Sequence, residues 1–124
     1  MNRGVAVIES ADIREWRQHA VVDARGKKIG TLESVYVNTA TDEPFFATVT
    51  VGLPTRRRLV FVPLDGAVVG PGYVRVAFDR GFVKGAPSID IDGVLPAERE
   101  PEVFAHYQLE YTPGAGGERR LARR

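Results

Sequence analysis

Two histidines and three serines are the side chains in this sequence that enzymes most often use for acid–base or nucleophilic chemistry. His19 and His106 lie at opposite ends of the chain, so they lack the short spacing of paired metal ligands on one helix. None of the serines occupies a Gly-x-Ser-x-Gly motif, and the absence of cysteine excludes thiol catalysis, iron–sulfur clusters and cysteine-ligated zinc. We therefore expect no catalytic, metal-binding or cofactor-binding residues and no enzymatic activity.

The segment SIDIDG at residues 88–93 is the closest approach to a metal-binding motif. Asp90, Asp92 and Gly93 match the third, fifth and sixth positions of a calcium loop. The twelfth position is Arg99, where such a loop requires a bidentate glutamate, so a cation replaces the strongest ligand. The segment is better interpreted as an extended chain with its isoleucines packed and its aspartates solvated.

The segment EVFAHYQLEY at residues 102–111 brings imidazole, phenol and carboxyl groups together and can form a reactive site or a packed lid. No second histidine is near, and the neighbouring carboxylates are glutamates, so a lid is favoured. Phe104, Tyr107 and Leu109 are expected to dock this segment on the rest of the protein, with His106 complementing the end of a helix. The residues of the predicted structural lid are Trp16, Phe104, His106 and Tyr107.

Basic residues concentrate in two places, residues 56–58 and the C-terminal segment 113–124. The formal net charge is +1, and the C-terminal segment holds four arginines against one glutamate, so the rest of the chain is slightly acidic. In an extended chain Arg57 points away from Arg56 and Arg58, which divides that cluster between two faces. A solvated hairpin end and a solubilising tail are therefore favoured over anion-binding sites. The cations most available to a partner are Arg56, Arg57, Arg58, Arg119 and Arg120.

Short apolar runs separated by turn residues follow one another along most of the chain, as is typical of strands. The predicted strands cover residues 20–24, 29–37, 45–52, 58–64 and 73–78. The first two form a hairpin with Gly26 in the left-handed conformation, and Gly30 predicts a bulge or sharp bend in the second. Short helices are expected over 11–18, beginning at Asp12, and over about 101–108. This pattern predicts a mainly β domain, a small antiparallel barrel or sandwich.

A chain of 124 residues has the length of one domain. We expect residues 1–112 to form that domain and residues 113–124 to form a flexible, arginine-rich tail. No apolar run approaches the ~20 residues of a membrane-spanning helix, and the N-terminus lacks the long apolar region of a signal peptide. A cytoplasmic protein without a membrane span is therefore expected.

Several longer motifs together resemble one known family. They are VVDARGKKIGTLESVYV, FATVTVG, RRRLVFVPLDGAVV, YVRVAFDRGFVKGAPSID and the closing HYQLEY. Across residues 12–111 the chain is similar to PRC-barrel domains, and most similar to their stand-alone bacterial branch. This family includes the cytoplasmic part of the photosynthetic reaction centre H subunit and the C-terminal domain of the ribosome maturation factor. The resemblance implies a small, strongly bent antiparallel β-barrel of about six strands, with a short N-terminal helical turn and a short C-terminal helix.

The same resemblance implies a function without catalysis, that of a module holding other macromolecules together. The chain lacks the transmembrane helix of the reaction centre subunit and the RNA-contacting domain of the ribosome factor, so neither specific role transfers. We expect a protein-interaction or assembly module whose partner is an unidentified protein or a second copy in a homodimer. The alternative is a factor that associates with RNA or the ribosome, which the near-neutral body of the chain disfavours.

Overall fold

A computed structural model describes residues 13–113 and 118–123. The α-helices are α1 (Ile13–Trp16), α2 (Arg80–Lys84) and α3 (Glu100–His106), and a 3₁₀ turn (Ala97–Arg99) leads into α3. The strands are β1 (Ala20–Val22), β2 (Lys28–Asn38), β3 (Pro44–Val51), β4 (Arg58–Pro63), β5 (Val68–Gly70), β6 (Tyr73–Arg75), β7 (Ser88–Asp90) and β8 (Leu121–Arg123). The N-cap predicted at Asp12 lies outside the described residues.

Eight strands in the described residues form one sheet in the order β5-β6-β1-β2-β3-β4-β7, and β8 pairs with the far end of β2. β1 and β6 run parallel, whereas β2, β3 and β4 pair antiparallel. The sheet is not closed, so the mainly β class is confirmed but the closed antiparallel barrel of about six strands is wrong. Within the described residues, the two outer strands of this order, β5 and β7, do not pair with each other.

The β1–β2 hairpin forms where the sequence predicted it, and Gly26 adopts a φ of 87° at its turn. Asp23 is fully buried at the end of β1, and its Oδ1 accepts hydrogen bonds from the N–H groups of Arg25 and Lys27, each at 2.9 Å. Its Oδ2 accepts from the N–H of Arg80 at 3.1 Å. One carboxylate therefore fixes the hairpin turn and ties it to the first residue of α2.

The electrostatics of Asp23 follow from those contacts. Burial alone raises the pKa of its carboxyl, but hydrogen bonds from the backbones of Lys27, Arg25 and Arg80 and the charge of Lys27 oppose it. The net result is a pKa below the ordinary value. The folded protein thus favours the ionised carboxylate.

Helix α2 was not among the predicted elements, although its end signals are present in the sequence. Asp79 precedes the helix and accepts a hydrogen bond from Gly81 N–H through its side chain at 3.1 Å. Gly85 follows the last residue and returns its N–H to the carbonyl of Gly81. An N-cap aspartate and a C-terminal glycine are the usual boundaries of a helix, and here they enclose a single short turn.

Residues 118–123, which fall within the predicted flexible tail 113–124, are attached to the sheet. Leu121 is fully buried, and the strand it begins pairs with Tyr36–Asn38 of β2. Glu100, also fully buried, accepts from the N–H groups of Arg120 at 2.9 Å and Leu121 at 3.0 Å. The composition of the tail suggested disorder, but one leucine with main-chain pairing and a buried carboxylate hold it.

Tyr111 completes this arrangement, because its hydroxyl donates to Oε1 of Glu100 at 2.6 Å. Burial together with that hydrogen bond and the negative charge raises the pKa of Tyr111 to about 12. The buried carboxylate of Glu100 therefore has three donors, which is the condition for burying such a group at low cost.

The predicted lid packs as expected in most of its residues. Trp16, Phe104 and Tyr107 are buried, whereas His106 is only half-buried. The ring of Phe104 lies 5.5 Å from Phe45 and 5.4 Å from Phe46 between centroids, so α3 covers β3. The prediction that Leu109 docks the helix is wrong, because it lies beyond the helix end and remains 36% exposed.

Replacing Asp23 with asparagine should make the free energy of unfolding depend less on pH in the acidic range. Because the folded-state pKa of Asp23 is lowered, its contribution is present above the unfolded value of 3.8 and is lost as the pH falls through the lower folded-state value. Urea unfolding at a series of acidic pH values measures this. The variant should be less stable at neutral pH and lose less on acidification, and an acid dependence as steep as that of the native protein would contradict this assignment.

Glu100→Gln should release the C-terminal strand. The amide keeps one acceptor oxygen, but its NH₂ group takes the place of the other. A donor then faces one of the backbone N–H groups that Glu100 had accepted from, which costs about 1–3 kcal/mol. Urea unfolding gives the free energy of unfolding, and limited trypsin digestion reports cleavage at the released arginines. Glu98→Gln, at an exposed position two residues earlier, is the matched control and should behave as the native protein does.

Tyr107 anchors the lid through both its ring and its hydroxyl. The hydroxyl donates to the carbonyl oxygen of Phe61, and burial raises the pKa of Tyr107. Tyr107→Ala should lower the free energy of unfolding by about 3 kcal/mol. Tyr107→Phe should cost about 1–3 kcal/mol, because it leaves that carbonyl without this donor. Thermal and urea unfolding measure both losses, and an unchanged melting temperature in the alanine variant would refute the anchoring role.

Candidate docking groove

The pairing between strands β2 and β3 stops before the end of each strand, and a groove lies at that point. Their pairing begins at Thr31 and Thr50, while the preceding residues of β2 pair with β1 instead. The groove has a volume of about 640 Å³, within the usual range for ligand-binding clefts. Its lining residues include Lys28, Ile29 and Gly30 from β2, Val51 and Gly52 from the end of β3, and Pro54, Arg57 and Ile91. We call this feature the docking groove.

Gly30 lies where the pairing of β2 with β3 ends, and there the two strands are in close contact. A Cβ at this position would lie 2.0 Å from the carbonyl oxygen of Thr50, so only glycine permits the approach. The register between β1 and β2 also shifts beside it, from Val21 opposite Gly30 to Val22 opposite Lys28. The bulge or bend predicted at Gly30 is therefore confirmed.

Gly52 has a similar role on the opposite wall. It adopts a φ of 99°, and a Cβ there would lie 2.4 Å from the carbonyl oxygen of Arg56. The chain can therefore turn tightly at the end of β3. The turn carries Leu53 and Pro54 along the rim of the groove instead of continuing β3 alongside β2.

The divergence leaves two strand edges facing each other across the groove. No pairing joins residues 28–30 of β2 to Val51, the last residue of β3, or to Gly52 after it in the described structure. Residues in a strand present their N–H and C=O groups alternately to the two sides, so each wall offers main-chain donors and acceptors. An extended segment of another chain can use such edges to add a strand.

The rim of the groove carries exposed apolar side chains. Leu53 is 70% exposed and Ile91 is 41% exposed, and both lie beside residues that line the groove. Sequence reasoning expected Ile91 to be packed together with Ile89. The structure corrects this, because β7 ends at Asp90: Ile89 lies in the strand and is buried, whereas Ile91 follows it and faces outwards.

The three adjacent arginines lie in different surroundings. Arg57 lines the docking groove and is exposed, as is Arg56 on the turn beside it. Arg58 lies on the other side, where it lines a separate 470 Å³ pocket and donates to the carbonyl oxygen of Lys84 at 2.9 Å. The structure therefore brings one of the three into the groove, together with Lys28.

The C-terminal arginines do not join this site. The guanidinium of Arg120 donates to the carbonyls of Thr112 at 2.8 Å and Pro113 at 3.0 Å, and to Oδ1 of Asn38 at 3.3 Å. Arg119 is half-buried beside it, and its carbonyl accepts from the hydroxyl of Thr39. Arg120 is thus engaged in holding its own chain segment, which the basic composition of the tail did not reveal.

The buried polar groups elsewhere in the described residues serve the fold. His106 donates through Nε2 to the carbonyl oxygen of Phe82 at 2.7 Å and stacks on that ring at 4.3 Å between centroids. Ser34 and Thr48 bond to each other at 2.8 Å between strands. The described residues contain no group of three histidine, cysteine or acidic side chains that could hold a metal ion.

None of the helices in the described part of the chain combines the length and the apolar character that crossing a bilayer requires. A search of curated proteins found no match to this sequence. The family model of the PRC-barrel domain matches residues 9–83, more than half of the chain and including both strands that border the docking groove. The chain therefore belongs to the PRC-barrel domain family.

Proposed function

We propose that this protein is a non-enzymatic interaction or assembly module that holds a protein partner in the docking groove. The observation that carries the proposal is the open groove between β2 and β3, with unpaired strand edges as its walls and exposed Leu53 and Ile91 at its rim. Unpaired edges can pair with a further strand, and exposed apolar groups are costly to leave in water, so a partner that covers both gains main-chain hydrogen bonds and apolar burial.

The apolar rim can supply a useful part of the binding energy. Burying a leucine or isoleucine side chain contributes about 1.5–3 kcal/mol when it passes from full exposure to full burial. Leu53 is 70% exposed and therefore has most of that energy left to gain. An exposed leucine beside main-chain donors and acceptors suits the anchor of a small interface better than the lining of a catalytic site.

The non-enzymatic part of the proposal is supported by the state of the buried carboxylates. Asp23 and Glu100 each accept three hydrogen bonds within the fold. Both are also fully buried, so neither carboxylate is offered to a substrate. A general acid or base must reach the proton that it transfers, and these two groups cannot.

Self-association belongs to the same proposal, with a second copy of the chain as one partner of the groove. A cytoplasmic location is the setting we propose, and the absence of cysteine is compatible with it. Binding to RNA is the competing function, and the cations at the groove favour it: Lys28, Arg56 and Arg57 have no ion-pair partner among the described residues. RNA binding predicts a steep loss of affinity with added salt.

Leu53→Ser should abolish capture of a partner without affecting folding. The test compares full-length tagged chains in extracts of the source cells and quantifies captured proteins by mass spectrometry. Leu109→Ser is the matched control, because Leu109 is also exposed, whereas only Leu53 lies between two groove-lining residues, Gly52 and Pro54. A protein retained by the native chain and the control but lost from Leu53→Ser supports the proposal. Light scattering of the same three proteins tests whether a second copy is that partner.

Equal capture by all three chains would overturn the role of the groove. Thermal unfolding should give the same melting temperature for each, because both side chains are exposed. Recovery of RNA that depends on Arg56 and Arg57, with no protein dependent on Leu53, would replace the proposal with the RNA-binding alternative.

A further inference from the structure

We infer that the partner enters the docking groove as an extended peptide segment, which adds a strand to the sheet and presents a carboxylate to Arg57 and Lys28. The inference rests on the proposed function and specifies the partner of that same site. It follows from the main-chain edges and charges at the groove and from the hydrogen bonds already made along the outer strand β7.

The walls of the groove select an extended chain. Residues 28–30 at the start of β2 have no pairing with Val51 at the end of β3 or with Gly52 after it in the described structure. A strand advances about 3.3 Å per residue, so a short segment can run along the wall and bond to its N–H and C=O groups. A helix satisfies its own main-chain groups and is about 10–12 Å wide, so it would leave these walls unpaired.

The charges at the groove select an acidic segment. Lys28 and Arg57 both line it and have no carboxylate partner among the described residues. Glu33 also lines the groove, but its Oε1 accepts a hydrogen bond from the hydroxyl of Thr48 at 2.9 Å. A guanidinium binds a carboxylate through two parallel hydrogen bonds, so Arg57 is suited to bind an aspartate or glutamate side chain of the partner segment.

The lining disfavours a single-stranded nucleic acid. Proteins that hold single strands place aromatic side chains beneath successive bases in addition to basic groups. The groove is lined by strand backbone, aliphatic side chains, threonines and a few charges, with no aromatic ring. Its cations therefore suit a peptide carboxylate better than a chain of stacked bases.

The outer strand β7 differs from the groove, because carbonyl groups along it already accept hydrogen bonds from the same protein. Arg99 donates through Nη1 to the carbonyl of Ser88 at 3.2 Å, and Gly93 N–H donates to the carbonyl of Asp90 at 2.8 Å. These bonds use acceptors that an added strand would need. Strand addition is therefore disfavoured at β7.

The test pans a phage-displayed library of random seven-residue peptides on the immobilised full-length protein. We expect recovered peptides to carry aspartate or glutamate between apolar residues. Arg57→Gln should weaken their binding about two- to fivefold, as expected for a partly exposed ion pair. Arg56→Gln, the adjacent exposed arginine outside the groove lining, is the matched control and should bind them as the native protein does. Peptides without acidic enrichment, equal binding by Arg57→Gln, or no recovered peptide would each overturn the inference.

Strand addition has its own measurement. Binding of a selected peptide should slow hydrogen exchange at the amides of residues 28–30 and 51–52, and proline substitutions that remove its N–H groups should abolish binding. Binding without added protection would show that the segment does not pair as a strand. If Leu53→Ser loses its cellular partner while acidic peptides fail, the proposed function stands and only this inference falls. If capture is independent of Leu53, the proposed function itself fails.

Discussion

The contact between Gly30 and the carbonyl of Thr50 is the constraint on which the arrangement of the sheet depends. With hydrogen in place of a Cβ, β2 can bend directly over the end of β3, where any side chain would lie 2.0 Å from that oxygen. The long strand β2 pairs with β1 near its start and with β8 near its end along one edge, and with β3 along the other edge. One long strand thus joins three segments, and the groove lies where its pairing with β3 ends.

Two buried carboxylates join segments that strand pairing alone does not hold together. Many of the elements joined to the long strands have only three to five residues, too few to be stable by themselves. Asp23 bonds to the hairpin turn and to the start of α2, and Glu100 bonds to the start of β8. Each carboxylate therefore acts as a fixed set of acceptors between segments distant in sequence. This organisation uses buried charge to join parts of the structure.

Local patterns predicted the parts of the fold that local interactions determine. The β1–β2 hairpin, the bend at Gly30 and the helix that carries Tyr107 all follow from turn residues and apolar spacing near them. The open sheet and β8 depend on pairings between distant residues, which no single segment reveals. Leu121 illustrates this. A single leucine among arginines is expected to be exposed, and its burial depends on pairing with β2 and on the hydrogen bond to Glu100, both distant in sequence.

The groove was predictable only in its charges, and those charges set a limit on how copies can associate. Alternation placed Arg57 apart from its neighbours, but the exposure of Leu53 and Ile91 depends on where strands end in space. Unpaired strand edges invite association between identical chains, and cations beside them oppose it. Two docking grooves facing each other would bring the cations Lys28 and Arg57 of each copy together, with Glu33 as the acidic residue in each lining. A self-associating pair that offers an acidic surface to the groove therefore satisfies these cations better than two grooves placed face to face.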